Sequence, residues 1–228
     1  FVMQFYSQDM KEILNSKKLF SKSNIPNILT FARILLAPVV IVLLLCSKIN
    51  DLPKIYHFEI SNTVFEINIL FLLGAIFFVI ASITDWLDGY LARKNNWISD
   101  FGKLWDPIAD KILINGVLIS LGYLTIIPIW IPIIMISRDT IVDATRMVAA
   151  SKKIIIAANI YGKLKTVTQM IAIIVIIFAF NAPLEQSEKW FYWSIQNLFM
   201  FIALMFSIIS GIIYEISFLS KQKMIKNS

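Results

Sequence analysis

The chain has 228 residues, 58% of them hydrophobic and 16% charged, with a mean hydropathy of +0.74. That composition is too apolar and too poor in charge for an ordinary soluble domain and points to a polytopic membrane protein. The formal charge of +6, from 21 Lys and Arg against 15 Asp and Glu, suits cytoplasmic loops beside anionic headgroups, and no nucleic-acid partner is expected.

In chain order, residues 1–23 form an N-terminal segment in which Tyr6, Met10, Ile13, Leu14 and Phe20 recur at helical steps between lysines. This predicts an amphipathic helix lying in the headgroup layer, with a disordered basic tail as the alternative. Lys11, Lys17, Lys18 and Lys22 interrupt the segment, and no small-residue cleavage pattern follows, which argues against a cleavable signal. Six apolar stretches then fit the length of a bilayer-spanning helix, near residues 28–47, 68–91, 108–127, 129–149, 166–182 and 191–217. The expected fold is therefore all-α: six transmembrane helices in a membrane domain over 24–219, followed by a basic cytoplasmic tail over 220–228.

Pro128, between the third and fourth stretches, predicts a tight turn, because proline lacks the amide that would continue a helix. Cys46 lies inside the first apolar run and leaves no internal disulfide framework. His57, in a polar connector without a second histidine or a cysteine nearby, is expected at the surface. With a cytoplasmic N terminus, all basic residues except Lys48, Lys54 and Lys189 fall on the cytoplasmic side. The positive-inside rule thus predicts a multi-pass protein of the cell membrane whose aspartate-rich second connector faces the cytoplasm.

The chemistry is concentrated around that connector. Asp85 and Asp88 are three residues apart and Asp106 and Asp110 four apart, so on helices each pair shares a face. The first pair closes the second span and the second pair opens the third. A short connector would bring these ends together as antiparallel neighbours, with four carboxylates around one small volume. Charged groups at a membrane boundary are costly to retain, which makes the cluster a functional-site candidate rather than a set of solvated span ends. All-oxygen donors without Cys or His select a hard cation, Mg²⁺ or Mn²⁺. Gly89 and Gly102 allow close approach of a ligand, and Arg93 offers a donor for phosphate.

Asp85, Asp88, Gly89, Ala92, Arg93, Gly102, Asp106 and Asp110 match, at every fixed spacing, the signature Asp-x2-Asp-Gly-x2-Ala-Arg-x8-Gly-x3-Asp-x3-Asp. In this the chain resembles the CDP-alcohol phosphatidyltransferases. Asn24 to Thr30 with Arg33 and Pro38, then Ser137-Arg138-Asp139, Arg146, Ala149-Ala150 and Gly162 to Thr166 with Gln169-Met170, resemble the bacterial phosphatidylglycerophosphate synthase branch. Asp139 stands where that branch usually has glutamate, and Lys152-Lys153 replace a stretch usually carrying glycine.

The resemblance implies transfer of a phosphatidyl group from CDP-diacylglycerol to glycerol 3-phosphate, with CMP released. It implies two metal ions on Asp85, Asp88, Asp106 and Asp110, with Asp110 also the general base. Asp85, Asp88, Gly89, Ala92, Arg93, Gly102 and Asp106 would bind CDP-diacylglycerol, and membrane lipids and a second copy of the chain would be partners. Arg138, Arg146, Lys163 and Lys165 are candidates for the acceptor's phosphate, against the alternative that they serve only topology. Cardiolipin synthesis from phosphatidylglycerol and transfer to inositol phosphate remain open within the family. A cation transporter using the aspartates is the reading outside enzymes.

Overall fold

The computed structural model describes residues 25–48, 54–60, 63–95, 100–152, 154, 160–179 and 190–227, so the expected N-terminal interfacial helix lies outside the described residues. Within them run α1 (Ile25–Cys46), β1 (Lys54–Ile60), β2 (Thr63–Asn68), α2 (Ile69–Asn95), α3 (Asp100–Tyr123), α4 (Trp130–Ser151), α5 (Ile160–Ala179) and α6 (Trp190–Asn227). Each expected span corresponds to a helix. The basic stretch from residue 220 continues α6 in helical form.

One element departs from an all-α chain. β1 and β2 pair antiparallel, with Ile60 opposite Thr63 and His57 opposite Glu66. The signal lay in the sequence: Tyr56, Phe58 and Ile60 alternate with His57 and Glu59, and Phe65 and Ile67 alternate with Glu66 and Asn68. Such a period of two on either side of Ser61-Asn62 marks a hairpin, where only a polar connector was expected. Asn68 then starts α2, its Oδ1 accepting from the amide of Phe71 at 2.8 Å, an N-cap that satisfies one of the helix's orphan donors.

α1 shows why the helices pack as they do. Thr30, Arg33, Ala37, Val40 and Leu44 recur at alternating three- and four-residue steps and are all buried, while Phe31, Leu35, Val39 and Val42 on the other side are exposed. The buried stripe lies along α2 and α3; α6 packs along α4 and α5, and lighter contacts join α3 to α4 and α2 to α5. The main apolar core draws on all six described helices, including Phe78, Leu118, Met135, Ile173 and Ala203, and a small second cluster joins Ala149, Ile154 and Phe218. At Gly116 a Cβ would overlap the end of the Ile41 side chain, so the glycine lets α1 approach α3 closely.

Asn27–Cys46, Ile160–Phe178 and Asn197–Met224 are long and apolar enough to cross a bilayer, and Ile69–Asp85 is a shorter apolar stretch. Exposed apolar helix faces of this kind are solvated by lipid, and the chain is a membrane protein. α4 is less apolar for an evident reason: Arg138, Asp139, Asp143 and Arg146 lie within it. The turn around Pro128 is present but longer than the proline alone suggested, because α3 stops at Tyr123. There Ile126 donates to Leu121 O at 3.1 Å and Thr125, at φ +59°, donates to Gly122 O at 3.1 Å. That pattern is a Schellman ending, with threonine in the left-handed position that glycine usually fills.

Candidate active site

Every helix changes character toward the same end of the bundle. Apolar core residues give way to polar ones at Arg33 in α1, Asp85 in α2, Asp110 in α3, Arg138 in α4, Gln169 in α5 and Ser207 in α6. In odd-numbered helices the polar part precedes this point and in even-numbered helices it follows, so in an up-and-down bundle these residues share one level. Side-chain bonds between helices lie at this level, since buried polar groups must find partners.

α1 organises the acidic half of the site. Its wholly buried Arg33 places Nη1 2.5 Å from Oδ1 of Asp85 on α2. One turn earlier, Thr30 Oγ1 donates to Oδ1 of Asp106 on α3. Asp85 lies close enough to Asp106 and to Asp110 for their charges to act on one another. Gly102 is buried one turn before Asp106, and Pro107, between the two α3 aspartates, removes one backbone hydrogen bond. The expected direct pairing of the second and third spans is corrected here. Among the described residues α2 and α3 barely touch, and α1 lies between them because its buried stripe serves both neighbours.

Asp88, Gly89, Ala92 and Arg93 occupy the last turns of α2, and their side chains are not among those described. Among the described residues no three carboxylates, thiolates or imidazoles form a group able to hold an ion. Asp85, Asp106 and Asp110 alone are thus not a closed site, and Asp88 is the remaining acid of the motif. The donor chemistry fits a hard divalent cation, being oxygen throughout.

The basic candidates divide into two pairs. Lys165 on α5 is buried at 8% exposure and donates to Oδ2 of Asp139 at 2.5 Å, and Arg138 Nη1 donates to Oδ1 of the same carboxylate at 2.8 Å. Lys165 and Lys111 are near enough to Asp110 to act on its charge. Arg146 is 62% exposed, 3.9 Å from Asp143 and stacked over the Tyr214 ring at 5.4 Å, and Lys163 is also exposed. The structure therefore gathers Arg138 and Lys165 and leaves Arg146 and Lys163 apart from them. Residues the sequence did not single out complete the layer: Thr30, Ser210, which receives Arg138 Nη2 at 2.5 Å, and Asp143, which receives Lys111. Thr30 could have been found from its place on the α1 stripe. Ser210 carries no local signal, because only packing shows what faces it.

With this geometry in place, comparison gives the class. The family model for CDP-alcohol phosphatidyltransferase matches residues 23–209, and the chain belongs to that family. It is a membrane-embedded transferase, and enzymes of the family generally use divalent metal ions. More particularly, it is 39% identical over 216 residues to the CDP-diacylglycerol–glycerol-3-phosphate 3-phosphatidyltransferase of Mycoplasma genitalium, covering 92% of this chain and 90% of that protein. It is 38% identical over 188 residues to the protein of the same name from Bacillus subtilis, covering 82% of this chain and 91% of that one.

Proposed function

We propose that the chain transfers the phosphatidyl group of CDP-diacylglycerol to glycerol 3-phosphate, yielding phosphatidylglycerophosphate and CMP for phospholipid synthesis. The observation that carries this reading is the joining of Asp85 and Asp106 through Arg33 and Thr30 of one helix, within the family's motif and beside the Lys165–Asp139 pair. The identity of the named relatives supports the choice of acceptor.

In this reading Asp85, Asp88, Asp106 and Asp110 hold two Mg²⁺ or Mn²⁺ ions. When bound, these ions supply neutralisation of the pyrophosphate and of the departing CMP. Gly89, Ala92, Arg93 and Gly102 bind the CMP moiety. Asp110 accepts the proton of the acceptor hydroxyl, whose oxygen bonds to the lipid-side phosphorus as the bond to the CMP oxygen breaks. Lys165, beside Asp110, attracts the acceptor's phosphate; exposed Arg146 and Lys163 raise the local concentration of that anion at the approach. Purified protein given CDP-diacylglycerol with glycerol 3-phosphate, phosphatidylglycerol and inositol phosphate in competition should release CMP and form phosphatidylglycerophosphate as the lipid product. Preference for another acceptor would move the enzyme within its family. Cation flux without CMP release would establish the transporter reading instead.

The same proposal holds that six helices span the cell membrane, with residues 1–23 in the headgroup layer, a functional homodimer, and the active site on the cytoplasmic side. In a Cys46→Ser background, single cysteines at Asn95 and Gln186 should then react with impermeant thiol reagents from opposite faces of the membrane. Labelling of both from one face would overturn the topology.

A further inference from the structure

We propose that Asp139 is a positioning residue: seated through Arg138 on Ser210 of α6, it holds the Lys165 ammonium in place for the acceptor's phosphate, so that Lys165 rather than Arg138 meets that phosphate. This rests on the reading of the site as a phosphatidyltransferase with a phosphate-bearing acceptor.

Arg138 is directed into the interface between α4 and α6. Nη1 donates to Asp139 at 2.8 Å and Nη2 to Ser210 at 2.5 Å. Nε is buried without a protein partner, and it lies 3.0 Å from where a Cβ on Gly211 would stand. Two of the three guanidinium nitrogens are thus taken up, Nη1 within α4 and Nη2 by α6. A planar, rigid fork held at two corners is a good anchor for a neighbouring carboxylate. Asp139 divides its oxygens, Oδ1 to Arg138 and Oδ2 to Lys165 at 2.5 Å. Lys165, in turn, acts on the charge of Asp110. The result is a chain of contacts from α6 through α4 and α5 toward α3.

Lysine needs such a chain more than arginine does. Its ammonium is a point charge on a flexible stem. Released beside Asp110, it would settle on that carboxylate and compete with the proton transfer expected there. Asp139 supplies a competing oxygen on the other side. The Arg138–Asp139–Lys165 group retains one net positive charge, which is left to attract an anion.

The sign of one substitution separates positioning from simple electrostatics. Asp139→Asn removes a negative charge near an anionic acceptor, and charge alone would lower the apparent KM for glycerol 3-phosphate. Positioning requires the opposite, a rise of about tenfold or more with the KM for CDP-diacylglycerol unchanged, as for loss of a charged hydrogen bond. Ser210→Ala should raise the same KM about fivefold, and the double variant should match Asp139→Asn alone because both act through one chain. A lowered or unchanged KM in Asp139→Asn, or effects of the two variants that multiply, overturns the proposal. If Asp139→Asn does not assemble, Ser210→Ala decides: a rise confined to the acceptor's KM supports the chain, and no change refutes it. Wild-type CMP release indifferent to glycerol 3-phosphate would instead remove the acceptor reading, a result visible before any variant is made.

Discussion

Replacing Asp106 or Asp110 with Asn should abolish CMP release while the protein still inserts and purifies as a folded membrane protein. Asp110→Asn removes the proposed proton acceptor, a loss of about 100- to 10,000-fold in kcat before any effect on metal is counted. Asp106→Asn keeps an oxygen to accept from Thr30 but loses a full charge at the proposed metal site, so the hydrogen bond between α1 and α3 can persist. Asp88→Asn should behave like Asp106→Asn. Thorough removal of divalent ions should reproduce the loss in wild type, and returning Mg²⁺ or Mn²⁺ should restore activity. Turnover by wild type in metal-free buffer would eliminate the metal role, and wild-type kcat in Asp110→Asn would eliminate the base.

The largest combined effect on stability and activity is expected at Arg33. It is wholly buried and its charge is met by Asp85, which is itself about one-third exposed at 35%. Removing one partner of such a pair leaves the other uncompensated, at a cost of about 3 kcal/mol, the low end of the range because water still reaches Asp85. Arg33→Ala should therefore lower the thermal midpoint in detergent by several degrees and eliminate transfer, since α1 would lose its hold on α2. Arg33→Lys should recover part of the stability through charge, but less of the activity, because an ammonium cannot reproduce the guanidinium's direction. An Arg33→Ala protein with native midpoint and rate would show that α1 does not organise the site.

Much of the site was readable in the sequence because its spacing is rigid. Asp85, Asp106, Asp110 and Gly102 sit on helices at intervals that fix their faces, and three- and four-residue steps need no tertiary knowledge to interpret. What could not be read was which helix lies between the two acidic ones. A short connector suggested direct pairing of α2 and α3, whereas the stripe of Thr30, Arg33, Ala37, Val40 and Leu44 takes that place. The basic residues were harder still. Arg138 and Arg146 are equal as charges in a sequence, yet one is locked against Ser210 and the other stacks on Tyr214 near the surface. Partners about seventy residues away decide the difference. The hairpin is harder to read for another reason: its alternation is clear, but its strands are only seven and six residues long and abut a long apolar span.

The place of Arg33 on α1 has a consequence for how the protein is made. An arginine at the centre of an inserting helix costs about 2.5–3.5 kcal/mol, and Arg33, seventh of the twenty residues Asn27–Cys46, costs somewhat less, whereas each Leu, Ile or Val returns a few tenths. Asn27–Cys46 is nevertheless long and apolar enough to cross a bilayer with Arg33 included, so α1 can enter it before α2 and α3 have been synthesised. During that interval the guanidinium has no Asp85 to meet. It must be borne by headgroups or water at the rim of the insertion machinery until the ribosome has delivered the next helix. Translation order thus makes α1 the template: the acidic helices are recruited one after the other onto a charge and a hydroxyl already waiting in the membrane.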